Sequence, residues 1–236
     1  MPRRPAKKQA PQKSQSFDLV PIKPLTENQE KAFSSYAAGK NLFLHGFPGT
    51  GKSFISLYLS LEEFFKTSNY QKILIVRSIV PGRDIGFLPG NVKEKTEIYE
   101  LPYANICNEL LSRGDGYSIL KQKFMIEFST TSFLRSITWK DSLVIMDEVQ
   151  NFMPQEMHTC MSRVGENCRI VLCGDYSQID LKRYEESCIH EILKITEEMA
   201  SFETIKMGID DVVRSGFAKD YLLAKHKIDT FSKAYQ

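Results

Sequence analysis

The stretch LFLHGFPGTGKSFISLYLS, residues 42–60, sets an apolar run, a turn of glycine and proline, and an amphipathic segment end to end. Within it, Gly46-Phe47-Pro48-Gly49-Thr50-Gly51-Lys52-Ser53 satisfies the spacing G-x-x-x-x-G-K-[ST] at every position. The glycines let the backbone turn its N–H groups toward phosphate oxygens without a Cβ in the way. The start of the following helix adds its positive end. In such a loop the lysine, here Lys52, reaches the β- and γ-phosphates, and the hydroxyl of Ser53 joins the magnesium sphere. Phe54, Tyr58, Leu61 and Phe65 recur at helical spacing. The stretch therefore reads as strand, phosphate-binding loop and helix, with Gly46, Pro48, Gly49, Thr50, Gly51, Lys52 and Ser53 around the nucleotide.

Other short apolar runs repeat the strand signal: KILIV at 72–76, SLVIMDE at 142–148, RIVLCGD at 169–175 and FETIKM at 202–207. They alternate with amphipathic stretches, the pattern of βα units around a parallel sheet buried on both faces. A phosphate loop needs a carboxylate for Mg²⁺ and a group that orients water. Asp147 and Glu148, at the tip of the third run, supply a metal-side carboxylate and a base for the attacking water. Asp175 and Gln178 follow the fourth run, at a strand tip that would face the γ-phosphate. No N-K-x-D or T-K-x-D element supports guanine selectivity, so ATP with Mg²⁺ is the expected ligand. About 65 residues separate the second and third runs, more than a simple crossover needs, and are expected to form an insertion.

Composition narrows the class. Lys and Arg number 31 against 29 Asp and Glu, but five of the basic residues sit in residues 1–16 with no acid, leaving the body near −3. That proline- and glutamine-bearing tail is expected to be disordered. Apolar runs fall short of the roughly 18–20 residues of a membrane span, and no apolar core of a signal peptide follows the N-terminus. Five cysteines without a CxxC pair, and four histidines without ligand spacing, predict free thiols in a cytoplasmic protein and no structural metal.

Six segments in order make the chain resemble the PhoH-like ATPases, P-loop proteins related to the first core domain of superfamily-one helicases. LTENQEKAF (25–33) resembles the family's segment ahead of the loop. IVRSIVPGRDIGFLPGNVKEK (75–95) resembles its stretch of strand, arginine and GFLPG loop, and EFSTTSFLRSIT (127–138) the segment before the acidic strand. MDEVQNF (146–152) stands where the family usually has D-E-A-Q-N. SRVGENCRIVLCGDYSQIDL (162–181) and DDVVRSGF (210–217) resemble its last two motifs, with Ser215 and Gly216 departing from the pattern. The resemblance implies a RecA-like α/β P-loop fold, a mostly parallel sheet flanked by helices, over residues 17–236, with the insertion at 85–135. It implies an ATPase with a role in RNA or single-stranded nucleic-acid metabolism, and Gln29 as an adenine reader. Small single-domain versions are common in bacteriophages, which would place such a chain in the host cytoplasm.

The same resemblance gives Arg163 and Arg214 as arginines of the catalytic site. One α/β domain lacks the second domain from which helicases take an arginine, so a neighbouring subunit would supply it, in a ring and most simply a hexamer. Arg214 is expected at the γ-phosphate and Arg163 at an intersubunit or structural position. Nucleic-acid contacts are expected from the insertion: Arg77, Arg83, Lys93, Lys95, Tyr99 and Arg135, with Tyr103 as a further stacking surface. Two other readings stand beside this one. A small-molecule kinase shares the cradle, although Glu148 and Gln178 speak against it, and a noncatalytic or slowly hydrolysing assembly protein would use ATP as structural glue.

Overall fold

Near-continuous burial along the strands sets the architecture. In a computed structural model, which describes residues 17–79, 92–133, 138–176, 178–181 and 186–234, six strands form one sheet. They are β1 (Asn41–Gly46), β2 (Lys72–Arg77), β3 (Ile126–Thr130), β4 (Ser142–Asp147), β5 (Cys168–Gly174) and β6 (Phe202–Met207), in the order β3-β2-β4-β5-β1-β6. Every pairing is parallel. Leu42, Leu44, Ile73, Ile75, Leu143, Ile145 and Val171 point into one core, whereas Phe43, Leu74, Val76, Val144, Met146 and Leu172 point into another. Both faces are thus covered, as a parallel sheet of near-continuous apolar strands requires.

The first core holds residues of α1 (Glu27–Ala37), α2 (Lys52–Lys66), α3 (Val92–Leu110) and α4 (Gly116–Gln122). The second holds those of α5 (Pro154–Met161) and α6 (Ile189–Glu198). A last helix, α7 (Gly216–Ala234), follows β6. This is the RecA-like α/β build expected, with one addition. The residues between β2 and β4 do not merely loop out: they include α3, α4 and β3, which pairs with β2 at the edge of the sheet. β3 escaped the sequence reading because Glu127 and Ser129 interrupt its apolar character. The helix after the loop also departs from a one-sided amphipath. All of Ile55–Leu61 is buried, because α2 lies on the sheet and touches both α1 and α3.

All five cysteines are free. Among the described residues no helix is long and apolar enough to cross a membrane, and no three His, Cys, Asp or Glu side chains gather to hold a metal. The tail, residues 1–16, lies outside the described residues.

Candidate functional site

The carboxyl ends of β1, β4 and β5 bring the site together, with β5 between the strand that enters the loop and the strand that carries the acids. Gly46 sits at φ +115°, and a Cβ there would fall 2.3 Å from the Met207 carbonyl oxygen of β6. Only glycine fits so close a backbone approach at that dihedral. Gly51 caps α2 at φ +82°, directing the first helical N–H groups into the loop. Distant segments clamp the loop from outside. The Phe47 N–H donates to the Met207 carbonyl at 2.8 Å and the Val213 N–H donates to the Gly49 carbonyl at 3.1 Å. Gln29 Nε2 donates to the Thr50 carbonyl at 3.1 Å.

Lys52 Nζ donates to the carbonyls of Gly46 (3.2 Å) and Phe47 (2.7 Å). Burial lowers its pKa, partly offset by Asp175, Cys173, Asp147 and Glu148. Asp147 is 4% exposed. Its Oδ1 accepts from the Glu148 N–H at 3.0 Å and its Oδ2 from the Tyr103 hydroxyl at 2.9 Å. Glu148 stands at φ +56°, in the left-handed region that non-glycine residues occupy at a cost and mostly at functional sites. Burial, then the neighbouring Asp147, raise the pKa of Glu148, toward the range that suits a general base.

Gln150 is the residue the sequence reading passed over. Fully buried, it donates from Nε2 to Glu148 Oε2 and to the Gln178 carbonyl at 3.2 Å. Its Oε1 accepts from the Asp175 N–H at 2.9 Å. One side chain thus ties the acidic tip of β4 to the polar tip of β5. A glutamine three places after Asp147, inside a run otherwise readable as a turn, gave no signal of that bridge.

These groups line one cavity of about 1340 Å³, shared by the loop, Lys52, Ser53, Asp147, Glu148, Asp175, Gln178, Gln29 and Arg214. Arg214 reaches it through its stem, which lies 3.0 Å from where a Gly49 Cβ would be. Gln29 is 4% exposed, and both ends of its amide are engaged, Oε1 by the Leu25 N–H at 2.8 Å. In this arrangement it holds the loop instead of presenting its amide to a base.

Gln29, Arg77 and Tyr103 depart from expectation, while Arg163 is expected at an intersubunit or structural position. Arg163 does not line the cavity. It follows α5 and packs its backbone against Trp139 near the opposite, amino end of β4, so it has no part in the site of its own chain. Arg77, assigned from sequence to a nucleic-acid surface, lines the cavity at the end of β2 in register with Asp147. Tyr103 is 1% exposed, so it cannot stack on a base. Tyr99 is half-buried under the Arg77 guanidinium, which lies 5.5 Å from its ring centre. Arg83 and Arg135 lie outside the described residues, as do the side chains of Lys93 and Lys95.

The family model described as PhoH-like protein matches residues 21–225. The chain is 29% identical over 194 residues to a PhoH-like protein of Bacillus subtilis (strain 168), covering 82% of this chain and 60% of that one. It is 28% identical over 211 residues to Protein PhoH of Escherichia coli (strain K12), covering 89% and 59%. The chain thus spans about three fifths of the length of these curated relatives. Among solved structures it is similar to the Pif1 helicase from Candida albicans, with 16% identity, a TM-score of 0.40, and coverage of 79% of this chain and 40% of that one.

Proposed function

The chain belongs to the PhoH-like family, and on that premise we propose that it is a Mg²⁺-dependent ATPase whose hydrolysis drives a motor or switch on RNA or single-stranded DNA. The observation that carries the proposal is a single cavity holding Lys52, Asp147, Glu148 and Asp175 around a loop whose backbone is clamped from three sides, through the Phe47 N–H and the Gly49 and Thr50 carbonyls. The nucleotide's β- and γ-phosphates would replace the Gly46 and Phe47 carbonyls as partners of Lys52.

The donors fit magnesium. Ser53 and Asp147 offer hard oxygens, and each Asp147 oxygen carries one protein donor, leaving lone pairs for the ion or its waters. Mg²⁺ takes few protein ligands beside phosphates and water. When bound, it would neutralise charge developing on the phosphates. Glu148, with its raised pKa, orients the water and takes its proton. Gln150 holds Glu148 and links it to Asp175 and Gln178, so loss of the terminal phosphate at the β5 tip is felt at the base. Arg214 supplies positive charge at the γ-phosphate. Arg163, remote from its own site, would serve only across a subunit boundary, in a ring for which a hexamer is favoured.

Glu148→Gln tests the proposal. Binding of Mg·ATP should survive, while kcat falls at least about 10²-fold, the range of a lost general base. Turnover at the wild-type rate would remove Glu148 from its role. Stimulation of wild-type turnover by RNA or single-stranded DNA at low salt tests the polynucleotide, and no stimulation by either favours the assembly protein.

A further inference from the structure

The acidic pair has a second support, separate from the loop and from Gln150. Tyr103 projects from α3 with its ring fully buried, and its hydroxyl ends on Asp147 Oδ2 at 2.9 Å. The other oxygen of the same carboxylate is held from within β4, by the N–H of Glu148. The carboxylate plane is therefore fixed between two elements, one of which is not part of the phosphate-binding core. A buried hydroxyl facing a buried carboxylate is not needed for packing, since a phenyl ring fills the same space. Its use is to orient.

Arg77 completes the support. It leaves β2 opposite Asp147, and its guanidinium acts on Tyr103, Glu148 and Asp147 while lying over the ring of Tyr99. Tyr99 and Tyr103 are four residues apart on α3 and so share one face of that helix. One face of α3 thus reaches the acidic tip of β4 by two routes, directly through Tyr103 and through Arg77 by way of Tyr99.

We propose that Tyr103 and Arg77 are positioning residues for Asp147 and Glu148, and that α3 thereby sets the rate of hydrolysis. The proposal rests on the reading of these two acids as the hydrolytic pair. A displacement of α3 by about the slack of one hydrogen bond, a few tenths of an ångström, frees the Asp147 carboxylate to turn. It also takes the cation from beside Glu148. Whatever engages α3 then changes turnover without touching the nucleotide.

Tyr103→Phe keeps the ring and deletes only the hydroxyl. The expected result is a kcat about 10–100-fold lower, the usual effect of losing a partner of a metal-side ligand, with affinity for Mg·ATP falling in step with that for the metal. Mn²⁺ affinity, titrated by paramagnetic resonance with a slowly hydrolysed ATP analogue present, should weaken by about the same factor. Affinity for the analogue without metal, set by the loop, should stay at the wild-type value. Arg77→Lys keeps the charge but loses the flat contact with Tyr99, and should give a partial defect where Arg77→Ala gives a full one. This pair carries the test if Tyr103→Phe does not fold. Wild-type kcat and wild-type Mn²⁺ affinity in Tyr103→Phe overturn the proposal, as does an Arg77→Ala variant equal to wild type where that pair carries the test. If Glu148→Gln hydrolyses ATP normally, the assignment of the base has failed instead, and the Mn²⁺ titration still decides whether Tyr103 positions Asp147.

Discussion

Glu148 carries a backbone and an electrostatic penalty. Its backbone sits at φ +56° and its carboxyl is pushed above the ordinary range, by burial first and by Asp147 second. A carboxyl whose pKa is raised by folding favours the folded state only at low pH. That contribution is lost as pH rises through the folded value, where ionisation destabilises the chain. Glu148→Gln should therefore melt at a higher temperature than wild type at pH 7.5, and the gap should close on acidification toward pH 4, which thermal melts across that range will read. In the wild type the acid limb of kcat against pH should lie above an unperturbed glutamate, near 4.3. Gln150→Ala removes a donor that favours the charged form, so it should move that limb higher still. At Gly46, alanine would meet the Met207 carbonyl. Nucleotide binding should be lost, together with at least the 1–3 kcal/mol, roughly, of a strained backbone, measurable by denaturant titration. The loop, Asp147 and Glu148 were legible because phosphate chemistry restricts both residue type and spacing. Gln150 and Arg77 were not, because a neutral amide and a strand-end arginine acquire their roles only from what the fold sets beside them.

Between elements, the carboxylate of Asp211 acts as a pin. Buried to 3% exposure, it accepts from Thr26 Oγ1 (2.5 Å), from Asn28 Nδ2 (2.8 Å) and from the Gly208 N–H (2.7 Å). It thereby joins the turn after β6 to the start of α1, where Thr26 also caps the helix by accepting from the Gln29 N–H at 3.3 Å. Since Gln29 holds the Thr50 carbonyl, a fault at Asp211 should reach the loop. Asp211→Ala should lower stability by about 1–3 kcal/mol, the cost of stranding buried donors. It should also weaken nucleotide binding, which calorimetry will register. The five apolar runs all became strands; four are near-continuous and pair on both sides, while FETIKM, interrupted by Glu203 and Lys206, forms the edge strand β6. β3 eluded the pattern because an edge strand meets a partner on one side only and tolerates polar residues. α7 packs beside the loop, where Leu222 lies 3.1 Å from the Cβ position of Gly49, while Phe217 stays 85% exposed. Its mixed pattern did not foretell either neighbour.

For the molecule as a whole, the placement of Arg163 gives the sharpest test of assembly. If a neighbouring subunit supplies this arginine, Arg163→Ala should bind ATP normally and lose turnover by about 10³–10⁵-fold, the worth of an arginine finger. Mixing it with Glu148→Gln should then restore part of the rate, because a Glu148→Gln subunit still lends its arginine to the intact Glu148 site of an Arg163→Ala neighbour, and sedimentation with and without nucleotide should report the particle that does so. Full turnover by a monomer would end the argument for a ring. The loop itself bears on synthesis. It is closed by partners at positions 29, 207 and 213, so the cradle is encoded early and two of its three fastenings late. On a ribosome, a nascent chain that has shown its first strand carries Gln29 but still lacks the β6 end and Val213, which fasten Phe47 and Gly49. The loop is therefore fully fastened only once Val213 has been made, so a nucleotide site built on it would be completed near the end of synthesis.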